Sequence, residues 1–330
     1  MTVVLAPVDG STRALRAVHW AEKLAGPGGT VILLRVVPPQ PAYADSLFSL
    51  VGAEGTVQEI QDAWTRTAKA DTDEAAALLS GSEVTVEQMV AEGEPDEEIV
   101  AAAARRGVQM IAMASHGRGA VGRAIFGSVA DRVARTAPVP VLILRTPDEE
   151  VDPTVVVSRI VVPLDGSEIA ARALPVASEL ARQLATPVHV IRAVDAALAL
   201  PMASGVFGAG PVVNADVTDQ IWQEAEAEAR STVTAAVSQL QAEGVDASGG
   251  IVNGSPFFAI SEVIEPGDLL ILTSHGRGGV RRWLLGSVAE KLVREANAPV
   301  MLVPAVERGE ESSSRAVETE GRDGETARRQ

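Results

Sequence analysis

The chain has 330 residues, enough for two domains that each bury a core. The composition is 46% hydrophobic but only 3% aromatic, so those cores must be built from Ala, Val, Leu and Ile; the absence of cysteine excludes disulfides, thiolate metal sites and cysteine nucleophiles together. A formal net charge of −16 argues against non-specific nucleic-acid binding, which needs a basic surface to displace counterions.

The N-terminus lacks the charged flank and the length of a secretory signal, and no apolar run approaches the roughly 18 residues of a membrane span. The expectation is a soluble, cytoplasmic protein that binds neither nucleic acid nor membrane. Residues 3–8 form a short apolar strand ending at Asp9-Gly10-Ser11, with Ser11 placed to cap a helix over 12–24, where Leu15, Val18, Ala21 and Leu24 recur at helical spacing. Residues 30–37 (TVILLRVV) read as a buried strand stopped by Pro38-Pro39, and 40–53 as an irregular loop. A long helix over 55–79 follows, then a strand over 84–91 with Val84, Val86 and Met89 turned inward. Gly93-Glu94-Pro95-Asp96 leads into a helix over 97–106, whose acidic first turn suits the helix dipole.

The apolar strand 110–113 then runs into Ala114-Ser115-His116-Gly117-Arg118-Gly119, with Gly127-Ser128 and a helical pattern after it. Strand, glycine-rich loop, serine and helix is a layout in which backbone N–H groups and a helix N-terminus can hold phosphate oxygens. The plain alternative is that Ser128 is only an N-cap. A fifth strand over 139–144 completes an alternation of strands and helices that indicates a parallel, doubly wound, Rossmann-like sheet.

After an acidic, proline-bounded stretch at 146–153 the pattern restarts. Residues 159–167 repeat the first strand and its Asp165-Gly166-Ser167, 187–194 the second strand, and 221–243 the long helix beyond a loop at 196–217. Gly254-Ser255-Pro256 echoes Gly93-Glu94-Pro95. Strand 269–272 precedes Thr273-Ser274-His275-Gly276-Arg277-Gly278 and Gly286-Ser287, and 299–303 echoes the fifth strand. Gly127 and Gly286 lie 286 − 127 = 159 residues apart. A period this long is the duplication of a whole domain rather than a solenoid repeat. The expected boundaries are a first domain over 1–147, a linker over 148–157, a second domain over 158–306 and a disordered tail over 307–330, where almost nothing can be buried.

These residues resemble the universal stress protein family in its tandem form, over about 3–305 of the chain. The resemblance implies two five-stranded parallel sheets of strand order 3-2-1-4-5 and a site for an adenine nucleotide, ATP, with Mg2+ an open addition. That order puts the apolar fifth strand of each half at a sheet edge, where pairing of the two would protect both and make an intramolecular pseudo-dimer; a further homodimer is left open. The nucleotide-binding pattern of that family is Gly, two residues, Gly, nine residues, Gly, then Ser or Thr. Here it reads Ala114-x-x-Gly117-x9-Gly127-Ser128 and Thr273-x-x-Gly276-x9-Gly286-Ser287. The first glycine is replaced in both halves, and β-branched Thr273 is expected to resist a positive φ there. By the same resemblance Asp9 and Asp165 would bond ribose or adenine, Pro7 and Pro163 would lie under the base, and the backbone of Val36 and Ala193 would read its edge. The competing reading of both aspartates is a turn-forming Asp before Gly-Ser.

His116 and His275 have no orienting partner that the sequence identifies, so they read as loop-shaping or phosphate-facing rather than catalytic. Arg118, Arg123, Arg277, Arg281 and Arg282 can supply charge to a triphosphate or simply stand in solvent. The only lysines are Lys23, Lys69 and Lys291, so there is no Walker A loop. The reading that follows is an ATP-binding stress-response regulator or switch with an unknown protein partner and at most weak ATPase activity. Its alternatives are a slow ATP hydrolase and an interaction scaffold that binds no nucleotide.

Overall fold

The computed structural model describes residues 1–39, 54–115, 127–145, 155–195, 215–274 and 285–305. The expected loops at 40–53 and within both glycine-rich motifs, the acidic stretch 146–153 and the tail 307–330 lie outside them. The first half runs β1 (Val3–Pro7), α1 (Thr12–Ala25), β2 (Thr30–Val37), α2 (Glu54–Leu78), β3 (Thr85–Glu92), α3 (Pro95–Arg105), β4 (Met110–Ala114), α4 (Ser128–Thr136) and β5 (Val141–Leu144). The second runs β6 (Arg159–Pro163), α5 (Glu168–Ala171), α6 (Ala173–Leu184), β7 (Val188–Val194), α7 (Ala215–Ala242), β8 (Ala247–Asn253), α8 (Pro256–Val263), β9 (Asp268–Thr273), α9 (Ser287–Glu295) and β10 (Val300–Val303).

All ten strands form one sheet in the order β3-β2-β1-β4-β5-β10-β9-β6-β7-β8. Each half is a parallel 3-2-1-4-5 sheet, and the halves are joined by the antiparallel pair β5–β10. Leu142 faces Met301 there, and 301 − 142 = 159 is the repeat period, so each half offers the same strand in the same register. The apolar edges thus protect each other, as the edge argument expects.

Two apolar layers cover the two faces of this sheet. One holds Val4, Ala6, Leu33, Leu142, Val162, Val190 and Met301 under α1, α2, α6 and α7; the other holds Leu5, Leu34, Ile111, Ile143, Val161 and Leu302 under α3, α4, α8 and α9. Successive side chains of a strand point to opposite faces, so a strand buried on both must be apolar throughout. That is why β4 reads as a continuous apolar run, β2 as one broken only by Arg35 and β9 as one that follows Asp268. At the edge strand β3, Val86 and, just ahead of the strand, Val84 pack on the first layer and Met89 on the second.

Several boundaries differ from the sequence reading for identifiable reasons. β5 and β10 begin one residue after Pro140 and Pro299, since proline has no N–H for the ladder, although both proline carbonyls still accept from Ile111 and Leu270. The helix α3 begins at Pro95, whose fixed φ suits the first helical position. The helix α7 begins at Ala215, before the apolar periodicity that starts at Ile221. Position 172 divides the counterpart of α1 into α5 and α6.

Candidate functional site

Strand order reverses beside β1 in the first half and beside β6 in the second, which in open α/β sheets opens a crevice at the strand carboxyl ends. In each half the chain enters that crevice through a proline. Pro7 pairs with Leu34, and the N–H of Val8 donates to the Leu34 carbonyl at 2.8 Å. Pro163 and Leu164 repeat this on Ile191, again at 2.8 Å.

Asp9 follows at once. Its Oδ1 accepts from the Ser11 N–H at 3.0 Å and from the Ser11 hydroxyl at 2.5 Å. Ser11 in turn caps α1 by accepting from the Ala14 N–H at 3.2 Å. Asp165 and Ser167 form the same network at 2.9 and 2.6 Å, and Ser167 caps α5 at 3.0 Å from Ala170 N. Gly10 and Gly166 turn the chain with φ of 72° and 81°. The aspartates are therefore turn-formers, as the competing reading had it, and each is held half-buried at the mouth of its crevice.

On the other side of the crevice the ends of the glycine-rich loop are clamped together. The N–H of Ser115 donates to Leu144 O at 2.8 Å, and the Ser115 carbonyl accepts from the Gly127 N–H at 2.8 Å. In the second half Ser274 bonds Val303 O at 3.0 Å and accepts from Gly286 at 2.8 Å. Both serines are buried, at 2% and 7% exposure. The loop between each pair of clamped residues carries Gly117 and Arg118, or Gly276 and Arg277, together with both histidines; these lie outside the described residues.

At the described ends of this motif the structure decides two points. Ser128 and Ser287 are not caps: Gly127 and Gly286 occupy the cap positions, and each serine is the first helical residue. The glycine caps of α4 and α9 bring no side chain, so among the described residues no side-chain cap meets their first-turn N–H groups, in contrast to α1 and α5. Thr273 is not strained either. It ends β9, as Ala114 ends β4, and among the described residues only Ala185 combines a positive φ with a side chain. The glycine missing from the pattern is not needed there for backbone freedom.

The backbone of Val36 is placed by register. Leu34 O faces β1, while Val37 O accepts from the Gly93 N–H on the β3 side at 3.0 Å. Residues alternate in direction along a strand, so Val36 N–H and C=O face the β1 side, beyond the last paired residue of β1. Ala193 holds the same place, since Ile191 O bonds Leu164 N and Val194 O bonds Gly254 N at 2.9 Å.

Next to these positions stands a pair of ions that the sequence reading passed over. Arg35 Nε meets Asp71 Oδ2 at 2.9 Å, and Arg192 Nη2 meets Glu228 Oε1 at 2.9 Å. The signal was available: one arginine interrupts each apolar β2-type run, with an acid 36 residues later in both halves. The Arg35 Nη1 also donates to the Val36 carbonyl at 2.8 Å. Arg192 Nη1 bonds instead to α7, at Thr232 Oγ1 (2.5 Å) and Glu228 O (3.2 Å).

Among the described residues no helix is long and apolar enough to cross a membrane, and no group of three or more His, Asp or Glu gathers as a metal site would need. Compared with known proteins, the chain is 25% identical over 305 residues to a universal stress protein of Mycolicibacterium smegmatis, covering 91% of this chain and 96% of that one. It is 30% identical over 149 residues to one from Methanocaldococcus jannaschii, covering 44% of this chain and 81% of that protein. The fold matches the crystal structure of a universal stress protein from Archaeoglobus fulgidus with a TM-score of 0.62 at 21% identity, over 92% of this chain and 98% of that one. The model of the universal stress protein family matches twice, at residues 1–145 and 157–304. With nearly the whole chain accounted for by these two matches, the protein belongs to the universal stress protein family and carries its domain in tandem.

Proposed function

We propose that the halves bind adenine nucleotide, ATP, at the carboxyl ends of their sheets, and that the protein acts as a nucleotide-dependent regulator in the stress response. The observation that carries this reading is the N-terminus of α4 and of α9, without a side-chain cap among the described residues and clamped by the same Ser–Gly bond at the same crevice in both halves. Such a terminus carries roughly half a positive charge and points N–H donors at its ligand. A donor set of backbone N–H groups and hydroxyls suits phosphate oxygens.

In this reading the phosphates rest at Gly127-Ser128 and on the loop with Gly117 and Arg118, beyond Ala114. The ribose meets Asp9, and the base lies over Pro7 along Val36. The second half uses Gly286, Ser287, Gly276, Arg277, Thr273, Asp165, Pro163 and Ala193 in the same parts. Turnover should be slow. Phosphoryl transfer needs charge neutralisation at the terminal phosphate and a positioned nucleophile, and the motif has no lysine.

Calorimetry of the full chain with ATP tests this. Gly127 has a φ of −62°, where any residue sits, so Gly127→Val probes space rather than backbone strain. This variant should lose the first-half site, with affinity there falling at least about tenfold, or about 1.4 kcal/mol. Unaltered affinity and stoichiometry in a Gly127→Val, Gly286→Val double variant would place any nucleotide elsewhere. With Mg2+ and labelled ATP, turnover should stay well below the roughly 1–10³ s⁻¹ of ordinary enzymes.

A further inference from the structure

The two crevices differ at the group that faces the base edge. In the first half the Val36 carbonyl already accepts a guanidinium N–H from Arg35. In the second, the Ala193 carbonyl has no such donor, because Arg192 is turned toward α7 by Thr232 and Glu228. The cause can be read from the sequence. Thr232 lies four residues after Glu228, whereas the residue four after Asp71 is Ala75, which has no hydroxyl and is fully buried. Asp71 also has a shorter side chain than Glu228. With one acceptor fewer on its helix, Arg35 sends Nη1 to the strand instead.

We propose that Arg35 sets the base preference of the first half, making it tolerant of a 6-oxo purine, while the second half prefers a 6-amino purine. This rests on the reading that a purine edge lies along Val36 and Ala193. A carbonyl oxygen has two lone pairs. At Ala193 no donor among the described residues takes either, and a 6-amino group can use both. At Val36 one is taken by a charged donor, and charge-assisted bonds are the stronger kind. A 6-amino group must share that carbonyl and meets positive charge beside it. A 6-oxo group is an acceptor, and the guanidinium is a donor within its reach. The mismatch that a 6-oxo purine brings at ring position 1 is common to both halves, so a difference between them isolates the 6-substituent.

The test uses the full chain, titrated with ATP and with inosine triphosphate. Gly286→Val leaves the first site and Gly127→Val the second. The ratio of ATP to inosine triphosphate affinity should be about tenfold smaller for the first site than for the second, the scale of one hydrogen bond to a charged group. Arg35→Leu with Asp71→Asn, which leaves no unpaired buried charge, should raise the first site's ratio toward that of the second. Thr232→Ala removes the hydroxyl that holds Arg192 and should lower the second site's ratio, which keeps the test open if the Arg35 variant does not fold. Equal ratios in the two halves, or ratios indifferent to both variants while binding persists, overturn this inference and leave the proposed function standing. If neither nucleotide binds to the unmodified chain, both fall.

Discussion

Gly249 marks the place where α7 comes down onto its edge strand. A β-carbon there would stand 2.5 Å from Val233 Cγ1 and 2.7 Å from the Val190 carbonyl oxygen, so helix and strand would have to part. The adjacent Gly250 faces the opposite side of β8 and would meet nothing within 4 Å. Gly249→Ala should therefore cost about 1–3 kcal/mol, in the range of overpacked sites. Gly250→Ala should be neutral or stabilise by up to about 1 kcal/mol, since glycine inside a strand carries an entropic penalty. Urea midpoints of the two variants read the contrast, and equal shifts would mean that the close approach is not real. Ala185 is the reverse case. It ends α6 in the left-handed region at φ 51°, ψ 45°, which costs an L-residue roughly 1–2 kcal/mol. Ala185→Gly should recover about 1 kcal/mol, and a lower urea midpoint would contradict this. None of these constraints was legible in the chain alone. A Gly-Gly pair in a strand-like run does not say which glycine lies under a helix. Nor does the sequence pattern say that position 273 is extended: it does not carry a dihedral angle.

Elements were more legible than residues where apolar runs carried them. β1 and β4 are uninterrupted apolar strands, β2 is broken only by Arg35 and β9 is apolar after Asp268, and burial on both faces leaves little choice about their position. Helix starts were harder. Polar first turns, as at the head of α7, carry no periodicity, and the choice between Gly127 and Ser128 as cap depends on a backbone bond to Ser115. At the amino-terminal edge of the second half the strands carry a polar row with its own pH dependence. Arg159 on β6 holds Asp268 on β9 through two bonds of 3.0 and 2.6 Å, and His189 on β7 meets Ser248 on β8 at 2.9 Å. Burial first, then the Arg159 guanidinium, keep the His189 imidazole below its ordinary value near 6.5, while Asp268 pulls weakly the other way. A base with a depressed folded pKa binds fewer protons when folded than when unfolded. Its contribution therefore falls as pH drops below about 6.5 and levels off below the folded pKa. The protein should lose stability as pH falls from neutral through about 6.5, and His189→Gln should remove part of that slope. An unchanged slope in the variant would assign the pH dependence to other groups.

For the molecule as a whole, the decisive contact is the β5–β10 joint, which turns two domains into one sheet. Only three residue pairs span it, Val141–Leu302, Leu142–Met301 and Ile143–Val300. It is nevertheless covered on both sides, and Leu142 and Met301 are fully buried. Cross-dyad bonds add to it. Gln183 Nε2 donates to the Leu24 carbonyl at the end of α1 at 2.6 Å, and Arg145 Nη1 reaches the Ala296 carbonyl at the end of α9 at 3.4 Å. The duplication, the parallel sheet and the apolar edges were all legible in the sequence, and together they imply such a joint. The Gln183 and Arg145 contacts were not, because neither residue has a counterpart in the other half that would mark it: Pro27 and Pro304 stand in the corresponding places. Opening of the joint can be measured by amide exchange. In an isolated half β5 would be an edge strand, with outward N–H groups open to water. In the joined sheet, amides of 141–144 and 300–303 should be protected nearly as well as those of the central β1 and β4, because only opening of the whole joint releases them. Leu142→Lys would bury a charge between two apolar layers, with a cost of several kcal/mol. In that variant, protection should fall at 300–302 across the joint while β2 and β7 stay protected. Fast exchange at β5 and β10 in the unmodified protein would mean that the halves part readily, and a loss of protection in β2 as large as that in β10 would mean that the whole first half, not the joint, had come undone.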